Sequence, residues 1–396
     1  MRYLLLRLKR FCGFITGIVF FIGGLLKLLD PVGAGLVMKE YLDFLHIGFL
    51  GSASKGLGVI FAFAETLIGT GLITGICRKA FGIAAVSLQV FFTLLTLLLV
   101  IFNPEMDCGC FGEAIHLTHM QTFVKNLVLL ALLSAYYFPA KMLGKGIRRK
   151  YVSFWLVTFS TAAFAIYSLM YIPLVDFTAY KPAAALKAAD TVAAEDIYEA
   201  EFIYEKDGKE ERFDLGHLPD STWTFVRTET TAREGYSDED LLDLSFYDND
   251  GNYQDPLACG ERVMAVSIYD PQMSGKKWTR TEKFVKNAQE AGFTVIILTS
   301  SEPERIDEAT EKVLAPLMYY ADYKTLISMN RSNGGITYFS DGYLVRKWAA
   351  NAAPDLKELR KISSEDVTET IIGQNTKGSL GFQGFLLYVF AVMLLL

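Results

Sequence analysis

Long apolar segments separated by short charged loops are the feature that most constrains the fold of this chain. A helix of about 20 residues is long enough to cross the hydrocarbon core of a bilayer. Six segments of roughly this length occur in the sequence, the last of them at the short limit: Phe11–Leu29, Gly56–Ile76, Ala80–Phe102, Gln121–Ala140, Val152–Leu174 and Leu380–Leu396. The sequence therefore predicts an α-helical membrane bundle with five to six transmembrane helices, whose first partner is the lipid bilayer.

The first apolar segment follows a basic N-terminus, Met1–Arg10, an arrangement that also occurs in signal peptides. The apolar run is long for a signal peptide, however, and no clear small-residue cleavage site follows it. We therefore interpret Phe11–Leu29 as an uncleaved first transmembrane helix.

Charge divides the chain into a basic first part and an acidic second part. Residues 1–175 contain 15 Lys and Arg against 7 Asp and Glu, whereas residues 176–396 contain 23 against 37. Basic residues are not interleaved with aromatic residues in a patch, which argues against nucleic acid as a partner. The composition predicts a membrane domain followed by an acidic domain of soluble type.

The distribution of lysine and arginine between the loops predicts the orientation in the membrane. Met1–Arg10, Arg78–Lys79 and Lys141–Lys150 together hold 11 Lys and Arg and no acidic residue. The opposite loops, 30–55 and 103–120, hold two lysines against six acidic residues. Because positively charged loops stay in the cytoplasm, we predict that both termini are cytoplasmic and that the acidic domain lies outside.

Two cysteines separated by a single glycine, Cys108 and Cys110, lie on the second of these outer loops. A disulfide between them would close a small, strained ring, and strained, exposed disulfides exchange readily with other thiols. Gly109 supplies the backbone freedom that such a closure needs. The motif favours a redox pair, and a structural pair and a pair of metal ligands are the alternatives.

Two histidines, His116 and His119, follow these thiols closely. Together the four side chains could form a metal site with two thiolates and two imidazoles. The spacing is not that of a familiar zinc site, and Thr118 and Gln121 stand at capping-box spacing before the next helix. We therefore assign no metal site.

Three ionisable side chains fall within the apolar segments. Lys27 and Lys125 are near segment ends, where a long side chain can snorkel to the polar interface. Glu65 is close to the middle of its segment and must be paired, protonated or in contact with water, which makes it a functional candidate. Lys27 is its expected partner if the first two spans pack side by side. Proton transfer and a structural ion pair are the two interpretations of Glu65.

The acidic part has the pattern of an α/β domain. An alanine-rich tether, Pro182–Ala194, is followed by a β-hairpin at Ala200–Leu215 with an Asp207-Gly208 turn. The pattern then predicts strands at Arg262–Tyr269, Phe293–Thr299, Ile336–Ser340 and Tyr343–Trp348, and helices at Thr281–Ala291, Pro303–Leu314, Tyr323–Met329 and Pro354–Lys361.

Several motifs in the first part resemble the DoxX/MauE-like family of bacterial membrane proteins. They are Gly23-Gly24 with Lys27 and Asp30-Pro31, Glu65 with Gly69 and, most specifically, Cys108-Gly109-Cys110-Phe111-Gly112. The resemblance implies that residues 1–140 form a four-helix membrane domain related in shape to quinone-linked disulfide-forming enzymes, with a fifth transmembrane helix in residues 141–175. It also implies an inner-membrane location, a role in disulfide formation in exported proteins or in their maturation, and a quinone as the candidate cofactor.

The segment 255–371 resembles a thioredoxin fold in the order of its elements, and follows a tether and hairpin region at 176–254. After its first strand the chain reads Asp270-Pro271-Gln272-Met273 where a thioredoxin has Cys-x-x-Cys, and Gly334 stands at the usual cis-proline position. We therefore predict a periplasmic thioredoxin-like domain without dithiol chemistry, followed by a sixth transmembrane helix at 380–396.

The other three cysteines have simpler interpretations. Cys12 and Cys77 lie at the predicted cytoplasmic edge, where thiols stay reduced, and are interpreted as packing residues. Cys259 lies on the oxidising side and is either a buried core thiol or a relay that exchanges with Cys108 or Cys110.

These observations lead to one leading hypothesis and two alternatives. The leading hypothesis is a membrane thiol–disulfide oxidoreductase or maturation factor, with Cys108 and Cys110 as the redox pair and Glu65 as a proton carrier. Its electron acceptor would be held in the bundle, and its client would be an exported protein. The alternatives are a non-enzymatic scaffold that recruits an exported client through the outer domain, and a Cys/His metal-handling protein.

Overall fold

The computed structural model describes residues 2–143, 146, 150–187, 198–206, 209–213, 219, 222–232, 241–271, 274–300 and 314–395. The chain divides into two compact units, one formed by Met1–Phe177 with Asn375–Leu396 and the other by Thr178–Gln374. The first unit is helical, and the second combines helices with β-sheets.

The helical unit is built from long helices joined by short connections. In chain order they are α1 (Arg2–Leu29), α2 (Pro31–Phe44), α3 (Ser54–Thr74), α4 (Arg78–Phe102), α5 (His119–Tyr137) and α6 (Lys150–Met170), with a short strand β1 (Cys110–Glu113) between α4 and α5. The C-terminal helix, Val367–Leu395, contributes its later turns to the same unit.

Five helices in the described part of the chain are long and apolar enough to cross a membrane: Leu6–Leu29, Gly48–Thr74, Arg78–Phe102, Lys150–Met170 and Lys377–Leu394. They correspond to five of the six predicted spans, including the last one. The predicted span Gln121–Ala140 is the 19-residue helix α5, which is not among the five. This helix carries Lys125 and Asn126 in its first half, and both lower its hydropathy.

Small residues bring α1 and α3 into close contact. A Cβ atom on Gly24 of α1 would lie 2.5 Å from the carbonyl oxygen of Ala62, and one on Gly69 of α3 would lie 2.5 Å from a backbone nitrogen of α1. Glycine at such positions lets two helix backbones approach closely. The first two predicted spans therefore pack side by side, which is the condition for Lys27 to reach Glu65.

Two apolar clusters hold the helical unit together. One joins α1, α3, α4 and α5 through Cys12, Phe20, Leu72, Ala85, Leu133 and Tyr136. The other joins α1 and α3 to α6 and the C-terminal helix, where the rings of Phe164 and Phe385 stack with centroids 4.7 Å apart. Lys150, at the start of α6, donates to the carbonyl oxygens of Met393 and Leu394, each at 3.1 Å. A cation at a helix C-terminus is favourable, so this contact stabilises the antiparallel pairing of the two helices.

Lys9 and Arg78, from two of the predicted cytoplasmic loops, lie at one end of the bundle. Lys9 donates to the carbonyl oxygen of Phe138 at 2.6 Å, and Arg78 donates to that of Leu143 at 3.0 Å. At the opposite end, β1 passes the last turns of α1, where Gly112 lies beside the carbonyl oxygen of Leu26. The structure therefore separates the basic end of the helices from the end that carries the cysteine loop.

The second unit contains two β-sheets in its described part. Its strands are β2 (Ala185–Leu186), β3 (Tyr198–Lys206), β4 (Lys209–Phe213), β5 (Thr224–Ala232), β6 (Leu241–Leu242), β7 (Phe246–Tyr247), β8 (Val263–Ile268), β9 (Thr294–Thr299), β10 (Met318–Ala321), β11 (Gly335–Ser340) and β12 (Tyr343–Trp348). Its helices are α7 (Gly275–Glu290), α8 (Tyr323–Met329) and α9 (Leu356–Ile362). The large sheet has the order β6-β2-β12-β11-β8-β9-β10-β7, and the small one β4-β3-β5.

The centre of the large sheet is buried on both faces. Strand β8 is parallel to β9 and antiparallel to β11, which is antiparallel to β12. Met264 and Val266 of β8 point into an apolar cluster with α7 and α9, whereas Val263 and Ala265 point into a second cluster with α8. This alternation explains why the strand reads as a continuous apolar run, and it confirms the predicted α/β character of the domain.

The structure corrects one predicted segment of this unit and leaves two others outside the described residues. Ala185–Leu186, predicted to be part of a tether, instead joins the large sheet beside Tyr343 because Leu186 is buried there. The Asp207-Gly208 turn lies outside the described residues, as does the predicted helix Pro303–Leu314 apart from its last residue. The large sheet is mixed and wider than the four strands predicted for its centre, and the thioredoxin-like assignment stays a prediction.

Candidate functional site

A cavity of about 350 Å³ lies within the helical unit, between α1, α2, α3, α4 and α5. Most of its wall is apolar and includes the rings of Phe20, Phe61 and Phe92. All three candidate catalytic residues predicted from the sequence, Cys108, Cys110 and Glu65, line it as well. The structure therefore brings a helix residue and a loop that is distant from it in sequence to one cavity.

The cysteine loop is held against α2. Gly109 has a φ of 56°, and a Cβ atom there would lie 2.4 Å from Cγ1 of Val37, so this position requires glycine. The Tyr41 hydroxyl donates to the carbonyl oxygen of Cys108 at 2.8 Å. Cys108 is 4% exposed, whereas Cys110 is half-buried. Both cysteines carry free thiols, and Cys110 is the more accessible of the two.

The surroundings of Cys108 oppose ionisation of its thiol. Burial raises the pKa of the Cys108 thiol above its ordinary value. The Thr122 hydroxyl and, more weakly, the Lys125 ammonium lower this pKa, although not enough to reverse the shift. The thiolate is the reactive form of cysteine, and these two neighbours offset part of the effect of burial on Cys108.

Lys27 and Glu65 form an ion pair on the wall of the cavity. The Lys27 ammonium lies 2.7 Å from Oε1 and 2.9 Å from Oε2 of Glu65, which confirms the predicted pairing. The same ammonium lies 5.6 Å from the ring centroid of Phe92. A Cβ atom on Gly23 would lie 3.7 Å from Oε2 of Glu65 and 3.5 Å from the carbonyl oxygen of Cys110. The carboxylate and the cysteine loop therefore face the same point on α1.

Several polar residues of the cavity were not predicted from the sequence. Gln89 donates to the carbonyl oxygen of Asn126 at 3.1 Å, and the Asn126 amide donates to the Thr96 hydroxyl at 3.2 Å. Lys125, rather than snorkelling, places its ammonium 4.7 Å from the ring centroid of Phe111 and lines the cavity. The signal that could have identified them is a polar side chain within an apolar segment, which is costly unless it faces the bundle interior.

The two histidines near the thiols have other contacts. The ring nitrogens of His119 lie 3.3 Å from Oδ1 of Asn103 and 3.0 Å from the carbonyl oxygen of Met106. His116 lies 3.6 Å from an oxygen of Asp107. The predicted capping box of Thr118 and Gln121 is present at the start of α5. Within the described residues, no group of three or more His, Cys, Asp or Glu side chains is arranged to hold a metal ion.

The remaining three cysteines lie in three different environments. Cys12 is buried in the bundle core, as predicted. Cys77 was predicted to be a packing residue but is exposed, because it caps α4 in a left-handed conformation with a φ of 36°. Its sulfur lies 2.9 Å from the Tyr151 hydroxyl. Cys259 ends a short 3-10 turn, Asp255–Cys259, and packs against a core cluster of the second unit, while its role as a relay stays a prediction.

Asp270, which follows the strand where a thioredoxin has its dithiol, is hydrogen-bonded by an amide side chain. The Asn333 amide nitrogen donates to the carbonyl oxygen of Asp270 at 2.7 Å, and its oxygen accepts from the Asp270 backbone N–H at 3.2 Å. Gly334 has a φ of 80°, and its N–H donates to the carbonyl oxygen of Ser267 at 2.8 Å. These contacts hold two loops of the second unit together.

Two family models match parts of the chain. Residues 198–234 match a family described as a domain of unknown function, DUF8463. Neither the curated proteins nor the solved structures gave a significant match. Residues 3–139, which contain α1 to α5 and the cysteine loop, match the family described as methylamine utilisation protein MauE. Over this part the chain is similar to that family, and its long apolar helices fit a multi-pass membrane protein.

Proposed function

We propose that the protein is a membrane thiol–disulfide oxidoreductase that acts in the maturation of exported proteins, with Cys108 and Cys110 as its redox pair. The observation that carries the proposal is the shared cavity, which both thiols and the Lys27–Glu65 ion pair line. Similarity to the methylamine utilisation protein MauE supports a role of this kind for residues 3–139.

The different burial of the two cysteines supports different roles. In the oxidised pair, a client thiolate attacks the half-buried Cys110, the Cys108–Cys110 bond breaks, and its electron pair remains on Cys108. A second client thiolate then attacks the client sulfur of the mixed disulfide and releases Cys110. The client loses two electrons and two protons, and the cysteine pair gains the two electrons.

The reduced pair must then pass two electrons to an acceptor, for which a quinone fits the cavity. Aromatic side chains such as Phe20 and Phe61 provide flat apolar contacts, and the Lys27 ammonium can donate to a carbonyl oxygen. A bound quinone would take up two electrons and two protons from the pair. Glu65, 6% exposed at its side chain, is the carboxylate placed to hold one of these protons within the helical unit.

The orientation of the chain belongs to the same proposal. The basic ends of α1, α4 and α6 would lie in the cytoplasm of a bacterium, and the cysteine loop and the second unit in the periplasm. The central strands of the second unit, in the order β12-β11-β8-β9 with β8 parallel to β9, support a thioredoxin-like assignment. Because Asn333 ties the segment at Asp270 and no dithiol is present there, we assign this unit a role in binding the client.

A mixed-disulfide trap tests the proposed function. Cys108→Ala leaves the accessible Cys110 without the thiol that would resolve a mixed disulfide, so adducts with periplasmic clients should accumulate on Cys110. Cys110→Ala should trap far less, since Cys108 is buried. Cys77→Ala, which removes an exposed thiol at the other end of the bundle, is the matched control and should trap nothing. Absence of adducts from both variants would favour a non-enzymatic scaffold.

A further inference from the structure

Lys125 occupies a distinctive place on the wall of the cavity. It follows Thr122 by three residues on α5, so that the two side chains lie on the same face of the helix. Lys125, Asn126 and Leu129 all line the cavity, and Thr122 is fully buried behind the cysteine loop. This face of α5 therefore carries one ammonium and one hydroxyl that both act on the Cys108 thiol.

The charges on the cavity wall do not balance. Two ammonium groups, those of Lys27 and Lys125, and one carboxylate, that of Glu65, line the cavity. The Lys27 ammonium is engaged by both oxygens of Glu65. The Lys125 ammonium lies over the ring of Phe111 and, among the described residues, forms no ion pair with a carboxylate. The positive charge of Lys125 is thus available to an anion that forms in the cavity.

The proposed reaction creates such an anion at a buried position. When a client thiolate opens the Cys108–Cys110 disulfide, the electron pair of the broken bond remains on the sulfur of Cys108, which is 4% exposed. Desolvation disfavours a buried thiolate, and a thiol that ionises with difficulty is a slow leaving group. A nearby cation lowers the free energy that is needed to form the buried thiolate.

We propose that Lys125 stabilises the thiolate of Cys108 and thereby sets the rate at which the Cys108–Cys110 disulfide is opened by a client thiol. The proposal rests on the proposed function, in which Cys108 is the leaving group. Lys125 acts through Cys108 and is therefore a positioning residue. The buried Thr122 hydroxyl, one turn earlier on α5, also favours the thiolate of Cys108.

Other ionisable groups near the cysteine pair act differently. The groups that face it from the surrounding elements are Lys27 on α1, Tyr41 on α2, Glu65 on α3, Lys125 on α5 and Asp107 on the loop itself. On α4, the described lining residues include no titratable side chain. Lys27 is neutralised by Glu65, Tyr41 is a neutral phenol, and Asp107 opposes a second negative charge. Lys125 is therefore the cation among them with an uncompensated charge.

The test measures how readily Cys108 ionises. In full-length protein carrying Cys110→Ser, the rate of alkylation of Cys108 by iodoacetamide, an uncharged reagent, is followed against pH by mass spectrometry of the Cys108 peptide. Lys125→Met should move the midpoint of this profile to higher pH and slow alkylation at neutral pH, as expected for loss of a nearby opposite charge. The limiting rate at high pH should not change.

Three further variants make the result decisive. Lys125→Arg keeps the charge and should keep the midpoint, and Lys141→Met, at the other end of the bundle, should behave as the parent. Lys125→Gln replaces Lys125→Met if the latter does not accumulate, with the same expectation. An unchanged midpoint, or a change in the limiting rate alone, would overturn the proposal. The measurement needs no electron acceptor, so it can succeed even if the redox pair proves not to cycle in cells.

Discussion

The ammonium of Lys27 bridges both carboxylate oxygens of Glu65, at 2.7 and 2.9 Å, inside a bundle that the sequence places in a membrane. Their side chains are 16% and 6% exposed, so neither charge is well solvated. Removal of one partner would leave the other charge buried alone, which costs about 3–5 kcal/mol. A variant that removes both charges avoids this cost, and it separates a structural role of the pair from a role in proton transfer.

Glu65→Gln changes the side-chain volume little but strands the Lys27 ammonium, so we expect poor accumulation of the protein. The double variant Glu65→Gln/Lys27→Met should accumulate normally, because no unpaired charge remains, yet hold Cys108 and Cys110 in one redox state. Immunoblotting measures the protein level, and gel-shift alkylation measures the thiols. A well-expressed Glu65→Gln variant with a normal thiol distribution would make Glu65 incidental to both folding and function.

Gly23 and Gly24 are neighbours on α1, and we expect Gly23 but not Gly24 to tolerate substitution by alanine. A Cβ atom on Gly24 would lie 2.4 Å from the Thr66 hydroxyl oxygen, whereas one on Gly23 meets nothing closer than 3.5 Å. Gly24→Ala should therefore lower the thermal unfolding temperature in detergent, and Gly23→Ala should not. Gly23→Leu should fold but fill the cavity, which stops redox cycling. Normal cycling in Gly23→Leu would argue against a ligand in the cavity.

Gly109→Ala should displace the cysteine loop. The backbone of Gly109 is left-handed, a conformation that destabilises a residue with a side chain by about 1–2 kcal/mol. Contact of the added methyl group with Val37 would destabilise the loop further. Gly56→Ala on α3 is the matched control, because a Cβ atom there has no neighbour within 4 Å. Thermal unfolding and trypsin sensitivity of the loop should distinguish the two. Equal stability of both variants would contradict the described loop conformation.

Tyr41→Phe removes the hydrogen bond to the carbonyl oxygen of Cys108 and should cost about 1 kcal/mol. The loop should then open more often, so that Cys108 is alkylated faster. Burial raises the pKa of Tyr41, with Cys110 and Cys108 adding to the shift. The phenol therefore stays protonated throughout the neutral range, and the ratio of the alkylation rates of the variant and the parent should not vary with pH there. A ratio that falls as pH rises would show that the anchor is lost by ionisation.

The proposed orientation predicts that residues 176–378 are outside the cytoplasm. A reporter that is active only in the cytoplasm should give no signal when it is fused after residue 250, and a strong signal when it is fused within the loop at Lys141–Lys150. The reverse pattern would invert the placement of the cysteine loop and remove the basis for a periplasmic client.

Features that depend on long local patterns were predictable from the sequence. The length of the apolar segments identified five helices that are long and apolar enough to cross a membrane, and β-branched runs identified β8 and β9. The pairing of Lys27 with Glu65 followed from the high cost of an unpaired charge in an apolar segment. The two-residue strands β2, β6 and β7 were missed because a strand of that length shows no alternation.

The lining of the cavity was predictable only in part. Cys108, Cys110 and Glu65 could be selected because their chemistry is unusual in an outer loop or an apolar segment. Tyr41 and Lys125 could not be assigned, since their roles depend on how α2 and α5 pack against the cysteine loop. The difference in burial between Cys108 and Cys110, on which their proposed roles rest, is likewise a tertiary property.

The most direct test of the proposed redox cycle is the thiol-to-disulfide ratio of Cys108 and Cys110 in membranes depleted of quinone and then resupplied. It is measured by alkylation and mass spectrometry in a chain whose other three cysteines are replaced. We predict that the pair shifts to the dithiol form on depletion and returns to the disulfide when quinone is restored. A thiol-to-disulfide ratio that is the same before depletion, after depletion and after resupply would contradict the cycle.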